Sequence, residues 1–185
     1  PAMNLYLDGN RNVLGVPQEN YGRELMELHT MGVDGGYTQE DVRQMALAWT
    51  GWTVCRKTAG TLNDPLAACN FLGAGPWALH FDFTQHDCRA KTLFAGTPQQ
   101  TNIPSTCNGG GGPTASGVND ATYALDAVAD HPSTKHFISK KLLQKFVTET
   151  PTEAQIQTMI TEWDATGGDL KALVRKAIDG TFNPE

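Results

Sequence analysis

At 185 residues the chain has the length of one ordinary domain, enough to bury roughly 70% of the surface its unfolded form exposes without help from metals or disulfides. Hydrophobic residues make up 39% and charged residues 18%, which excludes both a compositionally disordered segment and a long charged coiled coil. The net charge is -6 and basic residues are scattered apart from Lys135, Lys140, Lys141 and Lys145, which argues against nucleic-acid binding; no run approaches the roughly 18 apolar residues of a membrane span.

In chain order, the start Pro1-Ala2-Met3-Asn4-Leu5 has no signal-peptide pattern, so any targeting sequence is expected to have been removed and the chain to be a piece of a longer protein. A helix is predicted from about Gln18 to Met31, with Tyr21, Leu25 and Leu28 as its apolar stripe and Gly32 as its stop. Asp34-Gly35-Gly36 reads as a turn between helices. Thr38-Gln39-Glu40-Asp41 resembles a capping box opening a helix on Val42, Met45, Ala46 and Trp49, which Gly51 ends.

From about 53 to 117 the character changes to Gly, Pro, Thr and Asn. Leu79, Phe81 and Phe83 alternate with polar residues and predict a short strand that pairs with Trp52-Thr53-Val54-Cys55; the remainder is expected to be loop. Cys107-Asn108-Gly109-Gly110-Gly111-Gly112-Pro113 lacks the strand and helix of a phosphate-binding loop and reads as a surface turn. Helical spacing returns in Ala121, Ala124, Leu125 and Val128, starting at Asn119 or Asp120. A helix from Pro132 to Val147 carries apolar residues around its whole axis and is predicted to be the most buried. Two more helices come after it, on Ile156, Met159, Ile160 and Trp163 (opened by Thr152 with Gln155) and on Leu170, Leu173, Val174 and Ala177 (opened by Asp169). The expected fold is mainly α: one multi-helix domain over 1–185, helical at 1–52 and 118–185, with a short β-hairpin and a long disulfide-bearing loop region at 53–117.

Cys55, Cys69, Cys88 and Cys107 form no C-x-x-C pair, so two disulfides are the favoured reading over four buried free thiols, with the pairing open and an oxidising compartment, periplasmic or extracellular, implied.

The string Asn20-Tyr21-Gly22-Arg23-Glu24-Leu25-Met26-Glu27-Leu28-His29-Thr30-Met31-Gly32-Val33-Asp34-Gly35-Gly36-Tyr37-Thr38, continuing to Thr50-Gly51-Trp52, resembles the bacterial domain-of-unknown-function family 1800. Weaker likeness runs from Phe81 through His86-Asp87 to Lys91 and from His131-Pro132-Ser133-Thr134 to Phe146. The resemblance implies the C-terminal part of a longer, largely helical, commonly exported protein, often encoded beside a second exported protein of a sulfatase-like family. It supplies no reaction and no catalytic residues. The chain departs from the family pattern at Gly22, Arg89 and Lys135, where Ala, Gly and Ala are usual.

Several polar residues invite a chemical reading. Arg23 and Glu27 have the spacing of a solvated ion pair. Glu24 and His29 flank the first helix's apolar stripe, and His86-Asp87 sets an imidazole and a carboxylate side by side after a strand. Glu24, His29, His86 and Asp87 are the candidate catalytic residues, and His29, His86 and His131 the candidate ligands of a divalent metal, although no cofactor is called for by any motif. For His86-Asp87 the competing reading is structural hydrogen bonding, and for His131 an imperfect helix cap. Trp52 and Trp77 are the rings a sugar platform would use.

Three functions compete. The first is a non-catalytic exported binding or assembly module whose partners are the N-terminal remainder of the protein or a co-encoded exported protein. The second is a hydrolytic, metal-assisted enzyme, and the third a carbohydrate-binding module.

Overall fold

A computed structural model describes residues 2–56 and 77–179, which group into two compact units, Pro1–Leu25 with Tyr37–Ala127 and Met26–Gly36 with Val128–Glu185. At the centre of the first unit is α3 (Gln39–Ala48). Its predicted capping box is present: Thr38 Oγ1 accepts from Asp41 N, and an Asp41 carboxylate oxygen accepts from Thr38 N at 2.7 Å. The other Asp41 oxygen is also used, accepting from Phe94 N at 2.5 Å, so one buried carboxylate both starts the helix and anchors a distant loop. Val42, Met45, Ala46, Leu47 and Ala48 are buried, and Trp49 closes the helix half-buried.

The N-terminal segment forms a short α1 (Ala2–Tyr6), which periodicity did not predict. It is stitched to the end of α3 by Asn12, whose Nδ2 donates to Ala46 O at 2.8 Å and whose carbonyl accepts from Gly51 N at 3.0 Å. The predicted first helix is α2 (Glu19–Glu24) running into a π-helical turn at Leu25–Thr30, where Met31 N bonds to Met26 O. The extra residue of a π turn rotates the residues beyond it by about 100°. The buried positions are Gly22 and Met26, one residue on from the predicted Tyr21 and Leu25, and then Met31, five residues after Met26 across the π turn; Leu28, predicted on the stripe, faces away from Met26 and is 52% exposed. Arg23 correspondingly bonds to Glu19 at 3.3 Å and Gln39 at 2.8 Å, not to Glu27.

The predicted hairpin is β1 (Trp52–Arg56) antiparallel to β2 (Trp77–Phe81), in register Trp52↔Phe81 and Val54↔Leu79. Phe83 leaves the strand for a 3₁₀ turn capped by Asp82. A second hairpin, β3 (Lys91–Leu93) with β4 (Thr101–Ile103), lies where loop was expected. Three-residue strands are too short to show alternation, and β3 puts a lysine at a buried position, which inverts the expected pattern. Cys88 is bonded to Cys107, 19 residues on, and Cys55 is disulfide-bonded as well; Cys69 lies outside the described residues. The glycine-rich run is a turn wrapped on its own side chain, with Asn108 Oδ1 accepting from Gly110 N and Gly112 N at 2.9 Å. α4 (Val118–Ala129) begins before the predicted Asn119 or Asp120, because a 3₁₀ turn at Ala115–Gly117 feeds straight into it and leaves the Asp120 side chain free for another role.

In the second unit α5 (Pro132–Phe146), α6 (Glu153–Thr166) and α7 (Leu170–Ile178) pack around Leu143, Ile156, Met159, Leu173 and Ala177. Their predicted starts hold: His131 Nδ1 accepts from Ser133 N at 3.1 Å, Thr152 and Gln155 close a capping box, and Asp169 accepts from Lys171 N at 2.8 Å. α5 is not the most buried helix. Its fully buried residues are Thr134, Ser139 and Leu143, while Phe146 is 47% exposed, because the two neighbouring helices cover less than its apolar circumference. That place belongs to α3. No described helix is long and apolar enough to cross a membrane.

Candidate functional site

The densest polar cluster of the first unit gathers on His86. The segment after β2 delivers His86 and Asp87, β3 delivers Lys91, the first turn of α4 delivers Asp120, and the end of α3 delivers Thr50. The side chains of His86, Lys91 and Asp120 have no solvent exposure, and Thr50 is equally enclosed. His86 Nδ1 lies 2.8 Å from Thr50 O, and a carbonyl can only accept, so Nδ1 carries a proton. Nε2 lies 3.1 Å from Asp120 Oδ2, so both ring nitrogens face acceptors. Lys91 Nζ donates to the same Oδ2 at 2.6 Å, to Asp87 O at 2.5 Å and to Arg89 O at 2.9 Å, using all three of its protons. Asp120, in the first turn of α4, also sits where the helix dipole favours a carboxylate. Its second oxygen, Oδ1, is buried with no hydrogen-bond partner among the described residues.

Burial of His86 depends on Gly117. A Cβ there would come within 2.3 Å of His86 Cδ2 and 2.7 Å of Nε2, so only glycine admits the ring. Phe81 meets the imidazole edge-on at 5.2 Å between centroids, at the end of an aromatic row through Tyr21, Trp49 and Trp52. Burial raises the Tyr21 hydroxyl pKa.

The order Thr50, His86, Asp120 has the outline of a nucleophile, base and orienting carboxylate, but the proton positions run the other way. Thr50 Oγ1 donates to Leu47 O at 2.7 Å and accepts from Asp87 N at 2.8 Å, and the nitrogen facing it is a donor. Its proton is held by Leu47 O. The cluster, as built, fixes three chain segments and α4 to one another.

Asp87 shows the same division of labour. Burial pushes its carboxyl pKa up, but the Arg89 side-chain and backbone hydrogen bonds, the Arg89 charge and the Lys91 charge outweigh this and hold it below the ordinary aspartate range. The Arg89 guanidinium pairs with both carboxylate oxygens and is itself raised by that contact. Arg89 is 73% exposed, so the pair is solvent-screened on one side.

The second unit carries an open groove of about 780 Å³, within the size range of ligand sites. One wall is the turn from Met31 to Gly35, and the other is one face of α5 with Phe137, Lys140, Lys141 and Gln144. Gly32, with φ +82°, forms the close approach: a Cβ there would lie 2.6 Å from the Phe137 ring. Lys141 Nζ sits 4.8 Å from the Phe137 centroid, and His136 bonds to Glu153 at 3.1 Å.

A family described as "Protein of unknown function (DUF1800)" matches residues 1–181. The chain belongs to the DUF1800 family. No curated protein and no solved structure matches it.

Of the residues singled out from sequence, this DUF1800 chain brings His86 and Asp87 into the buried cluster, each with its own partners. Glu24 is half-buried on α2, and His29 is exposed on the π turn. His131 caps α5. Among the described residues no three His, Cys, Asp or Glu side chains are grouped to hold a metal ion. Trp52 is half-buried with Trp49 at 6.0 Å and Phe81 at 5.4 Å; the Trp77 side chain lies outside the described residues. Sequence reasoning missed Lys91, Asp120, Thr50 and Gly117. By sequence Lys91 is an isolated cation and Asp120 a helix-start residue, and 29 positions separate them. The one signal within reach was a lysine between Asp87 and the apolar Leu93-Phe94.

Proposed function

We propose that this DUF1800 chain is an exported binding or assembly module and that the groove of the second unit is where it meets its partner. The observation that carries the reading is a contrast in access. The side chains of His86, Lys91 and Asp120 are sealed from solvent, while the groove opens to solvent with Phe137, Lys140 and Lys141 on its wall. The disulfides support an oxidising location. The enzymatic reading draws no support from an enclosed threonine whose neighbouring nitrogen is a donor.

The test is complex formation with the co-encoded exported protein that the family resemblance implies, monitored by size-exclusion chromatography at about 10 μM, a concentration that captures micromolar affinity. A complex is expected, and Gln144→Trp, which fills the groove from an exposed position, is expected to abolish it. Absence of any complex refutes the binding reading for that partner, and a complex indifferent to Gln144→Trp refutes the groove.

A further inference from the structure

We infer that the groove of the second unit takes an acidic polypeptide segment that sets a carboxylate beside an apolar side chain; this rests on the binding reading above. The charge pattern is the first argument. The chain is acidic overall, with a net charge of -6, yet Lys140 and Lys141 both line the groove and form no ion pair among the described residues. Lys135, on the same helix but outside the groove, is by contrast answered by Asp164 at 2.6 Å. Two adjacent ammonium groups left open in a concave site attract a carboxylate and reject a basic segment.

The wall chemistry supplies the apolar half. Met31, Phe137 and Ile160 line the groove, and the Lys141 ammonium over the Phe137 ring places charge directly beside an apolar surface. A ligand that answers both carries an acidic residue next to an aliphatic or aromatic one. A polypeptide, rather than a small carboxylate, is the occupant because the binding reading above makes the partner a protein, and the exposed Val33 and Asp34 extend the groove's wall for a chain longer than a single side chain. Asp34 adds a negative rim that fixes the direction in which the acidic end lies, away from the turn and toward α5.

The experiment is selection of a random decapeptide display library on the intact, oxidised protein. The best peptides are then measured by fluorescence anisotropy on wild type and on Lys140→Glu/Lys141→Glu. Enriched peptides are expected to pair Asp or Glu with an apolar neighbour, to lose at least about tenfold in affinity on the double variant, and to weaken several-fold as salt screens the contact. Circular dichroism of the variant must match wild type, and Lys140→Arg/Lys141→Arg must retain binding. Neutral or basic peptides, or binding unchanged by the charge reversal, would overturn the acidic ligand and leave the binding module standing. Succinate competing at the same concentration as the peptides would overturn the polypeptide assignment. Enrichment of nothing would overturn the binding reading itself.

Discussion

Replacing Lys91 by Met is the sharpest test of the buried cluster. Met keeps most of the lysine stem's volume, so packing changes little, and what is lost is the ammonium. That ammonium has three acceptors, the Asp120 carboxylate at 2.6 Å and the Asp87 and Arg89 carbonyls, and it is fully enclosed. Its removal leaves a buried carboxylate whose Oδ1 already lacks a partner and whose Oδ2 retains His86 alone. Breaking a buried pair from one side costs about 3–5 kcal/mol. In a chain of this size each kcal/mol moves the melting temperature by about 2–4 °C, so a fall on the order of 10 °C is expected. Urea unfolding of Lys91→Met, Asp120→Leu and the double variant completes a cycle. The double variant is expected to be more stable than either single one, with a coupling of at least about 2 kcal/mol. A loss below about 1 kcal/mol for Lys91→Met, or simple additivity, would refute the account of Lys91 as the charge that makes Asp120 tolerable in the interior.

Gly117→Ala should cost at least about 2 kcal/mol, because its Cβ meets the His86 ring, while Gly109→Ala, with open space around it, should stay within about 0.5 kcal/mol; equal effects in thermal melts would dismiss the close-approach argument. Asp87 has a lowered pKa in the folded state, so its contribution is present above the unfolded aspartate value near pH 4 and drains away as pH falls below it. The stability difference between wild type and Arg89→Gln should accordingly be flat from about pH 6 to 8 and shrink in acid, and a difference that grows in acid would contradict the sign. Loss of the Cys88–Cys107 bridge, which closes a 19-residue separation, should cost about 3 kcal/mol on the loop-entropy estimate, as read from denaturant midpoints of Cys88→Ser/Cys107→Ser.

What the sequence made legible was local. Thr38 with Asp41, Thr152 with Gln155, and Asp169 cap their helices from residues three apart or fewer, and the hairpin Trp52–Arg56 with Trp77–Phe81 announced itself by the alternation of Leu79 and Phe81 with His80. What stayed hidden was decided by partners far along the chain. Asp120 has the position of a helix-start residue, and only the arrival of Lys91 and His86 turns it into the anion of a buried cluster. Leu28 fell off the predicted stripe because the helix buries Gly22 and Met26 rather than Tyr21 and Leu25, a one-residue shift of face that a glycine hides from hydrophobic periodicity. His86 was visible as a polar residue of interest, but its burial required knowing that Gly117 would lie against it.

The two compact units are interleaved along the chain: Met26–Gly36 belongs with Val128–Glu185, while the stretches on either side of it belong to the other unit. No single cut in the gene can therefore excise either one whole. A truncation ending near Ala127 would carry an eleven-residue orphan, and a fragment beginning at Val128 would lack the Gly32 turn that walls the groove. Dissection of this protein has to proceed by point substitution or by circular rearrangement of the chain, and a ligand that stabilises the groove should register in the melting of a piece that spans nearly the whole sequence.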